Sequence, residues 1–143
     1  MCWEAAATLS SAREEFEALG ATIRLIGLGS AQGAAEFSEL SGFPADLLLV
    51  DESRELYEAL ECASGVRATF FSAASAKAIA KKGWDPIKKA AENFAPIKPV
   101  RNGDVLWQGG SFVFRGGKCV YARRDGGTGD HAPIAELLEA CRA

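Results

Sequence analysis

From Cys2 to Leu19, a pattern recurs at three- and four-residue steps: Cys2, Ala6, Leu9, Ala12 or Arg13, Phe16 and Leu19. That spacing predicts a helix, with Gly20 as its C-terminal stop. Thr22 to Leu28 predicts a strand, with Ile23, Leu25 and Ile26 apolar. Ala31 to Ser41 predicts a short helix with Ala34, Phe37 and Leu40 on one side, ended by Gly42-Phe43-Pro44. Leu47-Leu48-Leu49-Val50 is a continuous apolar run, the pattern of a parallel strand buried on both faces. Asp51-Glu52-Ser53 turns the chain and offers Asp51 or Ser53 as N-cap of a helix carrying Leu56, Tyr57, Leu60 and Cys62. Helix, strand, helix, strand, helix is an α/β order with right-handed crossovers.

The stretch from Gln108 to His131 predicts a β-hairpin. Ser111–Phe114 and Cys119–Ala122 flank Arg115-Gly116-Gly117-Lys118. A Gly-Gly centre suits a two-residue turn, because both central residues of a type I′ turn need positive φ. In that register Phe114 faces Cys119, Val113 faces Val120 and Phe112 faces Tyr121. Both faces are then apolar, which predicts a hairpin covered on two sides, with Cys119 buried. A glycine-rich turn leads to Ala132-Pro133, where proline fits the first turn of a helix. Ile134, Leu137, Leu138 and Cys141 mark the inner face of that helix.

Between Val66 and Trp107 the pattern loosens. Thr69-Phe70-Phe71 is a short apolar patch, Ser75 to Lys82 predicts a helix, and Asp85-Pro86 opens a second one. Pro96, Pro99 and Asn102-Gly103 break the chain before the hairpin. Residues 66–107 are therefore a helical insertion in a single domain spanning 1–143, serving as a cap or a partner surface.

Composition narrows the function classes. The 143 residues are 48% hydrophobic and 24% charged, the balance of a soluble globular domain. A net charge of −3 gives no reason to expect nucleic acid or membrane as partner. Residues 77–101 carry +5 from seven basic and two acidic side chains, leaving −8 elsewhere. A solvated helical face accounts for that segment. No apolar run approaches the ~20 residues of a membrane span. The four cysteines, Cys2, Cys62, Cys119 and Cys141, form no C-x-x-C pair and show no metal-ligand spacing; with one histidine, no metal site and no cofactor are expected. Free thiols in a reducing compartment follow.

Cys2 falls in the first turn of its helix, where the partial positive charge of the terminus stabilises a thiolate. The alternative is an incidental cysteine at a frayed end. The loop Gly27-Leu28-Gly29-Ser30-Ala31-Gln32-Gly33 departs from a dinucleotide fingerprint, since three residues separate its second and third glycines. Asp51 partly imitates the ribose-binding carboxylate of that motif. A nucleotide site here is the weaker alternative.

Cys2-Trp3-Glu4 at a helix start, Gln108-Gly109-Gly110 before a strand, and Arg124-Asp125 followed by Asp130-His131 together resemble the peroxiredoxin-like 2 family. These are thioredoxin-fold members of the AhpC/TSA antioxidant class, and the likeness is to the plant and algal, plastid-targeted type. Three longer runs carry it: Phe70 to Lys77, Phe112 to Gly116, and Tyr121 to Ala132. The resemblance implies a thioredoxin-like fold in which a parallel strand pair and a C-terminal antiparallel hairpin are flanked by helices. It also implies a C-x-x-C redox site of which Cys2 matches the second, resolving cysteine. The first cysteine would lie three residues upstream, and the core strand that delivers it is not in this sequence either. The chain thus reads as an N-terminally truncated domain, with a gap expected between its two half-sheets.

That family points to a thiol antioxidant or thiol–disulfide oxidoreductase domain, inactive as this chain for want of the first cysteine. Its partners would be a thioredoxin- or glutathione-type reductant and a peroxide or disulfide substrate. Trp3, Glu4, Arg124, Asp125 and His131 are its possible supporting residues; a charged network fixing the glycine-rich turn is the other role open to the last three. By resemblance the location is the chloroplast, otherwise the cytoplasm. A non-catalytic thioredoxin-like interaction module is the alternative.

Overall fold

The computed structural model describes residues 2–62, 107–127 and 129–143, without the side chains of Cys2 and Trp3. The helices expected at Ser75–Lys82 and after Asp85, and the insertion and basic segment as a whole, lie outside the described residues. What is described is mixed α/β: helices α1 (Cys2–Ser11), α2 (Arg13–Ala18), α3 (Ala31–Ser41), α4 (Glu55–Ala59) and α5 (Ile134–Arg142), with strands β1 (Leu25–Gly27), β2 (Leu48–Val50), β3 (Gly110–Arg115) and β4 (Lys118–Arg124).

The predicted first helix is two. The Thr8 hydroxyl donates to the Glu4 carbonyl at 2.7 Å and the Ser11 hydroxyl to the Thr8 carbonyl at 2.8 Å. Such back-bonding competes with the helical ladder and bends it. The break falls at Ala12, with ψ near 3°. At the far end Gly20 adopts φ +71°, its N–H donating to the Glu17 carbonyl and that of Ala21 to Phe16. This is the Schellman arrangement the glycine stop predicts. α3 is capped by the Ser30 hydroxyl, which accepts from Gly33 N–H at 3.2 Å, and closes at Gly42 with φ +70°.

β1 and β2 pair in parallel, Leu25 with Leu48 through Gly27 with Val50. β3 and β4 pair antiparallel, and no ladder joins the two pairs among the described residues. The gap expected between them is thus seen among the described residues, and residues 63–106 lie outside these. β2 is not buried on both faces: Leu49 is 46% exposed, because α3 packs over one side only.

The hairpin turn is primed as predicted, with φ +55° at Gly116 and +80° at Gly117. Phe114 faces Cys119, but a bulge then shifts the register, so Val113 faces Tyr121 and Phe112 faces Ala122. Val120 is the extra residue. A bulge adds local twist and takes one side chain out of the ladder. The two-sided cover fails as well. α5 lies on the face carrying Val113 and Tyr121, while Phe114 and Val120 are 58% and 48% exposed on a side no described element covers. Cys119, expected to be buried, is exposed for the same reason.

Two apolar clusters form the core. Ala12, Phe16, Ala132, Leu137 and Leu138 join α2 to α5; Ala6, Phe43 and Leu47 join α1 to the turn before β2. Leu9 and Ile23 pack against both. On α5 the predicted face is the one turned inward, with Pro133 just outside its first turn.

Candidate functional site

At the open end of the hairpin, the exit of β4 meets the entry to β3, the C-terminal end of α4 and the approach to α5. Gly110 makes the close crossing feasible: a Cβ there would lie 2.7 Å from the Arg123 carbonyl and 2.8 Å from the Phe112 ring. Gln108 is buried beside it, and Asp125 N–H donates to the Gly109 carbonyl at 3.0 Å, carrying the ladder one step past β4.

Arg124 and Asp125, adjacent in sequence, diverge. The Arg124 Nε–H donates to the Leu60 carbonyl at 2.7 Å, and its outer nitrogen lies 3.1 Å from Glu61 Oε2. The same guanidinium sits 5.8 Å from the Phe112 ring centroid. It therefore straps the end of α4 to the hairpin and takes up a carbonyl that the helix terminus leaves unpaired. Beyond that strap, Cys62 is buried, its N–H donating to the Tyr57 carbonyl at 2.9 Å. The Tyr57 ring meets Trp107 edge-on at 6.2 Å.

Asp125 turns inward and is 4% exposed. Its Oδ2 lies 2.9 Å from His131 Nδ1. A carboxylate only accepts, so the ring carries its proton on Nδ1. Asp125 Oδ1 and His131 Nε2 are both buried, and among the described residues neither has a hydrogen-bond partner. The turn between them is held separately. Arg123 pairs with Asp130 at 3.0 Å, and Asp130 Oδ2 accepts from Gly126 N–H at 3.1 Å. Tyr121 O–H donates to Glu136 at 2.7 Å. Of the residues singled out in the sequence, Asp125 and His131 are thus brought into contact and Arg124 points to α4. Cys2 opens α1 with Glu4 in its first turn.

The chain matches, over residues 8–127, the family described as AhpC/TSA antioxidant enzyme. The chain belongs to that family. It is also 34% identical, over 148 aligned positions, to the thioredoxin-like protein AAED1, chloroplastic, of Arabidopsis thaliana. That alignment takes in all of this chain and 57% of the relative, so the chain spans a little over half of that protein's length. No solved structure matches it. The mixed α/β pattern seen here is that of a thioredoxin-like fold, which the family has. Asp125 lies inside the matched span; Cys2 and His131 lie outside it.

Around the glycine loop, the Ser30 hydroxyl is taken by its own helix, and Asp51 is buried with Oδ2 accepting from Tyr57 N–H at 3.0 Å. The Ser53 hydroxyl accepts from Glu55 N–H at 3.4 Å, so Asp51 and Ser53 both bond the first turn of α4. The N-cap, expected at one of them, is instead Arg54, in the left-handed region with φ +70°. Among the described residues no three His, Cys, Asp or Glu side chains are grouped to hold a metal. Cys62 is the residue the sequence undersold. It reads there as one more position on a helix face, and only the structure shows it buried two residues past the carbonyl that Arg124 takes up.

The thiols should separate cleanly in reactivity. Burial pushes the Cys62 thiol above the ordinary cysteine range, with Arg124 pulling down and Asp125 pushing up. A raised pKa delays thiolate formation to higher pH, so alkylation of Cys62 should still be climbing where an ordinary thiol has levelled off. Among the three described thiols in folded protein, iodoacetamide should label exposed Cys119 first, half-buried Cys141 later and Cys62 last, as read by peptide mass spectrometry. Labelling of Cys62 ahead of Cys119 would contradict the burial described.

Proposed function

We propose that the chain is a thiol-dependent antioxidant or thiol–disulfide oxidoreductase domain whose thiol is Cys2, in the resolving position of the family's paired-cysteine motif. The observation that carries the class of activity is the family match over residues 8–127. The assignment to Cys2, which lies outside that span, rests on the resemblance of Cys2-Trp3-Glu4 to the family motif and on the place of Cys2 at the first residue of α1. In the paired site, the upstream cysteine attacks a peroxide and becomes a sulfenic acid. The Cys2 thiolate then displaces its hydroxyl, giving a disulfide and water. A thioredoxin- or glutathione-type reductant returns both thiols. With the first cysteine absent from these 143 residues, the second step has no sulfenic partner three residues away, and this chain should not turn over. The chloroplastic relative supports a plastid setting.

Peroxide consumption with dithiothreitol or thioredoxin, measured on this chain and on one extended upstream through the paired motif, tests the proposal. Little or no turnover is expected from the first and steady turnover from the second. An extended chain without turnover would favour a non-catalytic interaction module instead.

A further inference from the structure

Every other described helix gives a side chain to one of the two apolar clusters; α4 gives none, and none of its residues is buried. Hydrogen bonds hold it instead. Asp51 Oδ2 and the Ser53 hydroxyl accept from Tyr57 and Glu55 N–H at its start. The Tyr57 hydroxyl donates to the Ile26 carbonyl of β1 at 3.1 Å. From the hairpin side, Arg124 of β4 donates to the carbonyl of Leu60, the C-cap of α4, at 2.7 Å. These bonds reach both strand pairs, which no ladder joins among the described residues. Backbone strain sits at the two flanks. Arg54 has φ +70° and Glu61 φ +55°, the left-handed region that side chains disfavour. Such angles persist only where the surroundings hold them, and both relax once the helix lets go. A segment with no core packing and strained ends opens at a lower free energy than the fold around it.

We propose that residues 54–61 are a releasable clasp between the two strand pairs, opening as one unit while the core stays folded, with Arg124 as the latch. Opening frees the Ile26 and Leu60 carbonyls. It also moves Cys62, which is buried and whose N–H is tied to the Tyr57 carbonyl at 2.9 Å. Access to that thiol is then set by the clasp and not by unfolding of the whole chain. The device is independent of Cys2 and of its chemistry.

Amide hydrogen exchange of the full chain, followed by nuclear magnetic resonance in urea below the unfolding transition, tests the clasp. The amides of Glu58, Leu60 and Cys62 donate to Arg54, Leu56 and Tyr57. They should share one opening constant that low urea leaves unchanged, while the α5 amides exchange more slowly and respond to urea. Three unrelated constants, or exchange that tracks α5 through the urea series, overturns the proposal. R124M keeps an apolar stem against Phe112 and removes the donors. It should speed exchange of the three amides about tenfold, the loss expected for a hydrogen bond from a charged group, and leave α5 unchanged. Iodoacetamide labelling of Cys62 should rise by the same factor. Parent rates in R124M, for the amides or for the thiol, sink the latch. E61G should slow the same amides about threefold, because glycine takes positive φ without strain and the exposed pair with Arg124 contributes little. Faster exchange in E61G contradicts the strain argument. Should R124M fail to fold, the urea series on the parent chain decides.

Discussion

Replacing Phe16 with alanine should lower stability by about 3–5 kcal/mol, the range for emptying a large aromatic site in a packed core. Phe16 is 4% exposed and lies in the cluster that joins α2 to Ala132, Leu137 and Leu138 of the C-terminal segment. Its backbone carbonyl accepts from Leu19 and Ala21, and those bonds survive the substitution. The loss is therefore side-chain packing, with no cap removed. Leu137 and Leu138 sit on a helix anchored at both ends and cannot collapse far into the space. Against the 5–15 kcal/mol typical of a domain, such a loss approaches the whole margin. Urea unfolding followed by far-ultraviolet circular dichroism reads it as a lower midpoint at similar slope. A loss under about 1 kcal/mol would mean that the two helices do not depend on this contact.

The paired substitution Gly116→Val and Gly117→Val should cost about 2–4 kcal/mol. Both glycines have positive φ, and a Cβ at either meets nothing within 4 Å. Steric clash with neighbours is thus removed from the question, leaving the backbone alone. A side chain in the left-handed region costs roughly 1–2 kcal/mol per residue, and β-branching makes it worse. Gly116→Asn is the control, since asparagine accepts this conformation and is common in primed turns. It should unfold near the parent midpoint. If the double valine variant did so as well, the turn would not be of the primed type.

What was legible in the sequence is what short-range chemistry dictates. Gly116-Gly117 announces its turn because no other dipeptide reaches those angles so easily. Gly20 and Gly42 stop their helices, and the face bearing Leu137 and Leu138 follows from helical spacing. The parallel pairing of the Leu25 and Leu48 strands follows from the crossover helix between them. What escaped depends on residues distant in sequence or on one extra residue. Period-two alternation runs through Val120 without a mark, yet the bulge there re-registers the pairs beyond it. Cys119 and Leu49 look buried in an apolar run because the sequence does not say that a helix covers one face alone. Arg124 reaches the Leu60 carbonyl across 64 positions, and nothing local in either segment signals it.

The two apolar clusters have a consequence for how the molecule comes apart. Among the described residues, Leu9 and Ile23 are the side chains packed against both. Cooperativity requires that opening one region raise the free energy of its neighbour. Here that coupling passes through one leucine on α1 and one isoleucine just ahead of β1. Weakened at those two positions, the α2–α5 end and the α1–Phe43 end would behave as two foldons, and a single melting temperature would stop describing the protein.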